Sequence, residues 1–259
     1  MAKLLLTFDD YIKSPAGKGT VNSSRDSSAL WYNNKLSELV SKNGPIKYTC
    51  YSTANGVYFI VFKMPSESLP GFYYDTVVEL YPNEEDSSTK EHISKYFVRF
   101  YSNDPDFTFT YARAYKTHGL LIDELEKKVS FQALHMRANI KNPDNTIGYV
   151  KNIYYAYLIM KKDELFDKTV LDRKVQKGGV KAVVSSVMHF DDKAKERKNF
   201  RPEKDSKEKK KKEPLKPKVI SSKQISASGV THTPSVTKTT RASLKSKLVS
   251  KVKTSKRIK

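Results

Sequence analysis

The stretch 46-IKYTCYSTANGVYFIVFKM-64 holds two runs of β-branched and aromatic residues on either side of one dipeptide, Asn55-Gly56. Asn-Gly readily adopts the positive φ angles of a type I′ turn, whose twist matches that of the strands it joins. Two such runs around a tight turn are typical of a β-hairpin. The sequence therefore predicts antiparallel strands over 46–54 and 57–64, with the turn at Asn55-Gly56.

Further strands are predicted on both sides of this hairpin. The β-rich runs 72–81 and 92–101 flank a polar, acidic segment. In 106–113, DFTFTYAR, aromatic residues alternate with Thr as in a strand that has one face on a core. Residues 3–8, KLLLTF, are a possible sixth strand. Because the strands follow one another without regular helical crossovers, we expect an α+β domain with a mainly antiparallel sheet.

Two or three helices are expected beside the sheet. Apolar residues recur at helical spacing over 27–43, and Gly44-Pro45 then supplies a left-handed stop and a residue that cannot continue the helix. A shorter helix is predicted over 119–129, with acidic residues toward its start and lysines at its end, as the helix dipole favours. A last helix is predicted over 149–162.

Charge divides the chain into two parts. The 259 residues include 48 Lys and Arg against 28 Asp and Glu, a net charge of +20. Residues 1–180 contain 24 of these bases and 21 of the acids, whereas residues 181–259 contain 24 and 7. All 16 Tyr and the single Trp lie in the first part, so the second has little to bury. We predict a globular domain over 1–165, a transition segment over 166–190 and a disordered, basic, low-complexity tail over 191–259.

The tail is the predicted nucleic-acid-binding site. Residues 207–218 contain seven lysines and two prolines that prevent a continuous helix, and residues 242–253 have the spacing of a basic amphipathic helix. Lysine and arginine bind phosphates through counterion release, without sequence preference. The predicted contact residues are Lys209, Lys210, Lys211, Lys212, Lys216, Lys218, Arg241, Lys245, Lys247, Lys251, Lys253, Lys256, Arg257 and Lys259.

No arrangement of residues predicts an enzyme, a cofactor or a metal site. The five histidines form no HExxH or HxH pattern, and the single cysteine, Cys50, has no identifiable partner for nucleophilic chemistry. The segment 17-GKGT-20 echoes a phosphate-binding loop, but position 12, where that loop needs Gly, is Ile. We therefore expect a non-enzymatic protein that uses no cofactor and no metal.

Export and membrane insertion are likewise not expected. The apolar run near the N-terminus is only Leu4–Leu6, whereas a secretory signal needs roughly 7 to 15 apolar residues. The longest apolar runs, 57–62 and 154–160, are far shorter than the roughly 18 residues of a membrane span. A single cysteine rules out an internal disulfide and fits a reducing compartment.

Three segments carry a resemblance to a known group of proteins. They are 58-YFIVFKMPSESLPGFYYDTVVELY-81, 100-FYSNDPDFTFTYARAY-115 and 141-KNPDNTIGYVKNIYYAYL-158. In this order they resemble poorly characterised structural or virion-associated proteins of tailed double-stranded DNA bacteriophages. The resemblance spans roughly residues 45–160 and does not include the tail. It implies a component of the virion or of its assembly, and it carries over no catalytic residue.

Two functions from different classes follow from these features. The first is a non-enzymatic structural protein of a bacteriophage particle, located in the virion and in the host cytoplasm during assembly. Its tyrosine-rich domain would contact other virion proteins in a large assembly, and its tail would contact packaged nucleic acid or an acidic neighbour. The alternative is a nucleic-acid-binding accessory factor in transcription, replication or ribosome assembly. Base stacking on the aromatic strands is less favoured than protein contacts, because residues 1–180 are nearly neutral.

Overall fold

The structure is a computed structural model that describes residues 4–13, 25–83, 92–136, 142, 144–148 and 150–200, with the backbone alone for 25–31. Within these ranges the α-helices are α1 (Phe8–Lys13), α2 (Arg25–Asn43), α3 (Ala112–His118), α4 (Phe131–His135), α5 (Lys151–Lys162), α6 (Lys168–Lys174), α7 (Gly179–Ser186) and α8 (Phe190–Asn199). The strands are β1 (Tyr48–Ser52), β2 (Tyr58–Pro65), β3 (Tyr73–Tyr81), β4 (Phe97–Ser102) and β5 (Val175–Gln176).

One five-stranded sheet organises these elements, in the order β4-β3-β2-β1-β5. The pairs β1–β2, β2–β3 and β3–β4 are antiparallel, and only the two-residue β5 runs parallel to its neighbour β1. The predicted α+β class with a mainly antiparallel sheet is therefore confirmed. Eight α-helices occur in the described ranges, whereas the sequence predicted two or three, because short helices such as α4 carry weak periodic signals.

The predicted hairpin is confirmed, but its turn has a different form. The N–H of Gly56 donates to the carbonyl of Thr53 at 3.1 Å, and the N–H of Thr53 donates to the carbonyl of Val57 at 2.9 Å. Gly56 has a positive φ of 75°, whereas Asn55 does not have the positive φ that a type I′ turn requires. The loop is thus a three-residue hairpin connection in which a turn is followed by a left-handed Gly.

The strand predicted over 106–113 is wrong. Phe107–Tyr111 forms one turn of π-helix and continues directly into α3. Phe107, Thr108, Thr110 and Tyr111 are all buried, so the alternation of aromatic residues with Thr does not separate an inner from an outer face. The helical start follows Asp104-Pro105, where the carboxylate of Asp104 accepts the N–H of Asp106 at 2.8 Å. This local capping outweighs the strand preference of the Phe and Thr residues.

Two other short elements also differ from prediction. Within 119–129 only Asp123–Lys128 is helical, as a 3₁₀-helix, because Leu120 instead pairs with the edge of β4, accepting the N–H of Phe100 at 2.8 Å. Within the predicted strand 3–8, the described residues 4–8 do not form a full strand: Leu6 accepts the N–H of Val98 at 2.9 Å, and α1 begins at Phe8. Both segments satisfy backbone groups that the edge of β4 would otherwise leave unpaired. The helices predicted over 27–43 and 149–162 are confirmed as α2 and α5.

The domain boundary predicted at 165 is not supported by the packing. Both faces of β2 are buried, and α7 packs on β1 and β2. Leu171, Val183 and Val187 belong to the same core as the sheet. The predicted transition segment therefore contributes a covering layer, because a sheet that is apolar on both faces needs helices on both sides. The start of the predicted tail is also folded, since α8 extends to Asn199.

A layer of tyrosines lies between α1, α3 and the segment before α5. The hydroxyl groups of Tyr11 and Tyr115 are 2.6 Å apart and lie 3.2 and 3.3 Å from the carbonyl oxygen of Gly148, so one phenol donates to the other and the second donates to that carbonyl. Burial raises the pKa of both phenols, so they stay neutral donors. Much of the tyrosine content therefore supports the core rather than a partner surface.

Candidate functional site

All the residues predicted to bind nucleic acid, Lys209 to Lys259, lie outside the described residues. The described chain ends at Phe200, directly before the segment that contains them. Phe200 packs edge to face on Phe72, with ring centroids 5.2 Å apart. The ammonium of Lys193 lies over the Phe72 ring, 4.5 Å from its centroid. The residue that precedes the basic segment is therefore held on the folded part by an aromatic contact.

A pocket of about 550 Å³ lies where the β2–β3 connection, the segment before α3, the start of α5 and the end of α8 meet. We call it the Asp104 pocket. Its volume is in the range of small-molecule sites. Its polar side chains include Ser66, Glu67, Asp104, Lys151, Asn152 and Arg197.

Asp104 is buried at one side of this pocket. Burial raises the pKa of its carboxyl group, and the neighbouring ammonium of Lys151 opposes that rise. One carboxylate oxygen accepts the N–H of Asp106 at 2.8 Å. Asp104 therefore has a structural role as a cap, and this role accounts for its burial without a ligand.

Asn152 is different, because its burial has no such explanation. The residue is only 2% exposed, and its Nδ2 donates to no acceptor among the residues that the structure describes. It lies in the first turn of α5, where Val150 provides no side-chain cap. A buried amide without a partner costs about 1 to 3 kcal/mol, so native proteins usually satisfy it with a water, an ion or a ligand.

The remaining charges of the pocket are partly paired. Lys151 Nζ lies 3.6 Å from Glu67 Oε2, and the hydroxyl of Tyr155 donates to Glu67 Oε1 at 3.1 Å. Arg197 donates to the hydroxyl of Ser68 at 3.4 Å and makes no ion pair with any carboxylate in the described ranges. The pocket lining thus combines two cations, Lys151 and Arg197, with the carboxylates of Glu67, Asp104 and Asp106.

A second cavity, of about 740 Å³, lies beside the α7–α8 connection and the start of α8. Lys47, Lys63, Lys128 and Lys193 line it, together with His189. Its floor is the carboxylate of Asp75, which accepts the ammonium of Lys63 at 2.5 Å. This cavity is basic, but Asp75 and Asp192 offset part of its charge.

The same Asp75 carboxylate joins the sheet to the α7–α8 connection. Its Oδ2 accepts the side-chain amide of Asn103 at 2.9 Å and the N–H of Met188 at 3.0 Å, and Lys63 also donates to the carbonyl of Ser186 at 3.2 Å. We call these contacts the Asp75 network. They hold the chain segment after α7 in place, which is a structural role.

The single cysteine of the chain is buried in the sheet. Cys50 is buried in β1, and loss of solvation raises the pKa of its thiol to about 11, so it is no nucleophile at neutral pH. No group of three or more His, Cys, Asp or Glu residues capable of holding a metal ion occurs in the ranges that the structure covers. None of the helices in those ranges is long and apolar enough to span a membrane.

Comparison with known proteins returned no match to a family model, to a curated protein or to a solved structure. The resemblance to bacteriophage proteins therefore stays a prediction from the three segments. The motif positions in those segments have structural roles here. Asn103 binds Asp75, and the side-chain amide of Asn142 donates to the carbonyls of Thr110 and Thr146 at 3.0 and 2.8 Å.

Sequence reasoning missed the Asp104 pocket and the Asp75 network. One signal was present: Asp75 and Glu79 are acidic residues inside the apolar run 72–81, and a charge in a buried strand needs a partner. Asn152 carried no signal of its own, because an Asn in the first turn of a helix is common and solvated at a surface. Its isolation follows only from the packing around it.

Proposed function

We propose that this protein is a non-enzymatic structural component of a bacteriophage particle, in which the folded part contacts other virion proteins and the basic C-terminal segment contacts packaged nucleic acid or an acidic neighbour. The separation of charge along the chain supports this proposal most strongly. Residues 201–259 contain 19 Lys and Arg against 4 Asp and Glu, a net charge of +15, whereas residues 1–200 carry only +5. Three quarters of the charge thus lies beyond the last described helix.

The physical basis is non-specific phosphate binding. Each phosphate that a Lys or Arg neutralises releases counterions, so affinity falls steeply with salt and depends little on sequence. If it behaves as a flexible coil, a segment of 59 residues reaches roughly 40 to 45 Å from its attachment point. The segment would therefore contact nucleic acid well beyond the folded part to which Phe200 attaches it.

The folded part offers apolar surface for protein contacts. Phe131 and Met136 at the two ends of α4 are 74% and 66% exposed, and Phe109 is 51% exposed. Large apolar side chains at this exposure are enriched where proteins associate. These side chains support a contact between the folded part and another protein of the assembly.

The experiment compares duplex DNA binding by the full chain, a truncation after Phe200, and a full-length variant in which Lys209, Lys210, Lys211 and Lys212 are all Gln. We expect the truncation to lose binding. The quadruple variant should reduce the slope of log K against log salt by about 3 to 4, since each phosphate contact contributes about 0.9. A full-length chain whose last 59 residues are shuffled is the matched control, and it should bind as the natural chain does.

Equal DNA binding by the full chain and the truncation would contradict the nucleic-acid part of the proposal. The structural part requires a separate measurement. We expect the protein in purified particles at a fixed stoichiometry, and recovery only with cytoplasmic nucleic acid would favour the accessory factor instead.

A further inference from the structure

The sheet places two lysines side by side where it borders the second cavity, which we call the Lys63 cavity. The N–H of Lys63 on β2 donates to the carbonyl of Lys47, which directly precedes β1, at 2.9 Å. Like charges opposite each other on neighbouring strands destabilise a sheet. Asp75 on β3 lies opposite Lys63 on its other side and pairs with it. Lys47 is exposed and forms no ion pair with a carboxylate in the described ranges, so its charge is not compensated.

A second lysine of the cavity is also unpaired. Lys128 ends the 3₁₀-helix Asp123–Lys128 and lines the cavity together with Lys47. Its carbonyl accepts the hydroxyl of Tyr101 at 3.3 Å, but its ammonium pairs with no carboxylate among the residues that the structure describes. Two segments that are distant in the chain thus bring unpaired ammonium groups to one concave surface.

The acids of the lining do not compensate these two charges. Asp75 is buried and accepts hydrogen bonds from Lys63, from the amide of Asn103 and from the N–H of Met188. Asp192 pairs with Lys195 at 3.3 Å. The unpaired charges of the lining are therefore both positive.

The shape of the cavity strengthens the field of these lysines. Protein walls of low dielectric constant concentrate the potential of the charges that line a concave site. Lys63 adds a further donor, because an ammonium has three N–H groups and Asp75 and Ser186 accept from two of them. Its side chain is 45% exposed in spite of these contacts. The volume of about 740 Å³ accommodates a phosphate group with part of the molecule that carries it.

The cavity also lies next to the attachment of the basic C-terminal segment. Lys193 lines the cavity and places its ammonium over the ring of Phe72, and Phe200 packs on the same ring. A polyanion bound by the segment that follows Phe200 is therefore held at a high local concentration near the cavity. Nucleic acid is such a polyanion, with one negative charge at each backbone phosphate.

We propose that the Lys63 cavity is a second nucleic-acid contact, in which Lys47, Lys63 and Lys128 bind backbone phosphates of the nucleic acid that the basic segment holds. This inference rests on the proposed function and adds to it a defined surface on the folded part. Two or three phosphate contacts give little affinity by themselves, so the truncation after Phe200 still loses binding.

The test measures duplex DNA binding by the full chain as a function of salt. The double variant Lys47→Gln with Lys128→Gln should reduce the slope of log K against log salt by about 2, since each phosphate contact contributes about 0.9. At about 0.1 M salt this change corresponds to a loss of affinity of about tenfold or more. The matched control is Lys161→Gln with Lys162→Gln, which makes the same charge change in the last turn of α5, outside the cavity, and should leave the slope unchanged. All four side chains are exposed or half-buried, so both double variants should melt as the natural chain does.

The outcomes separate this inference from the proposed function. An unchanged slope in the cavity variant, with a truncation after Phe200 that does not bind, would overturn the cavity contact and leave the role of the basic segment standing. Equal binding by the truncation and the full chain would contradict the proposed function itself. Equal loss of slope in the two double variants would overturn the inference, because any two lysines would then have the same effect. Poly-glutamate is the second probe: if the cavity variant weakens its binding but leaves the DNA slope unchanged, the cavity binds an acidic protein and the inference is wrong.

Discussion

Glu79 makes stability depend on pH in a direction opposite to that of most carboxylates. It lies on β3 opposite Arg99 of the neighbouring strand β4, is buried, and has Oε2 3.6 Å from Arg99 Nε. That distance is too long for a hydrogen bond, and no described residue donates one to this oxygen. Burial raises the pKa of the carboxyl group from 4.5 to about 7, although the charge of Arg99 opposes the rise.

The sign follows from the number of protons that each state binds. The folded state holds the Glu79 proton up to about pH 7, whereas the unfolded chain releases it near pH 4.5. The stabilising contribution of the protonated group is thus fully present below pH 4.5 and is lost as the pH rises through about 7. The difference between the two pKa values corresponds to about 3 kcal/mol of the free energy of unfolding.

Glu79→Gln should remove this dependence, because Gln has the shape of the protonated acid and does not titrate. We expect urea unfolding to show that the natural chain loses about 3 kcal/mol more than the variant between about pH 4 and about pH 8. Other titrating groups are the same in both proteins and cancel in the comparison. In thermal unfolding the same difference corresponds to about 6 to 12 °C.

Glu126→Gln is the matched control. Glu126 pairs with Lys116 at 2.7 Å on the surface, where such a pair contributes about 0 to 1 kcal/mol. Its removal should change stability little and should leave the pH dependence intact. If the natural chain and Glu79→Gln lose stability in parallel as the pH rises, Glu79 is ionised in the folded protein and the reasoning from burial is refuted.

Three further predictions concern the packing. Asp75→Ala leaves the N–H of Met188 without its acceptor, so it should lower the free energy of unfolding in urea by about 2 to 4 kcal/mol. It should also lower the hydrogen-exchange protection of the Met188 amide, and unchanged protection would contradict the Asp75 network. Gly148→Ala should lower the free energy of unfolding by about 1 to 3 kcal/mol, because a Cβ there would lie 1.9 Å from the ring of Tyr111. An unchanged melting temperature would show that the ring moves aside freely. In thermal unfolding followed by circular dichroism, truncation after Phe200 should leave cooperative unfolding intact, whereas truncation after Leu165 should abolish it because α7 is lost. Cooperative unfolding of the shorter form would support the domain boundary at 165 instead.

Local sequence signals predicted the elements that depend on local physics. Gly44-Pro45 ends α2 where the sequence indicated, since Gly44 adopts a φ of 77° that few other residues tolerate. The run around Asn55-Gly56 predicted the first hairpin, and the apolar stripe of 149–162 predicted α5. In each case the deciding interaction joins residues only a few positions apart, so the pattern of side chains contains the information.

The sequence failed where a distant contact decides the structure. The aromatic alternation of 106–113 favours a strand, but the edge of β4 is already covered by Leu6 and Leu120, and the segment forms a helix that buries Phe107 and Tyr111 together. The valines of 179–187 are too few to indicate a core by themselves, yet they cover the second face of the sheet.

The sequence alone determined the class of the fold, the first hairpin, two of the helices and the concentration of charge beyond residue 200. Only the tertiary structure decided that α7 and α8 belong to the folded part, that Glu79 loses its water, and that Asn152 is left without an acceptor at the start of α5. The physical reason is that periodicity and turn chemistry act over a few residues. Desolvation and hydrogen-bond satisfaction depend instead on which distant segments close around a group.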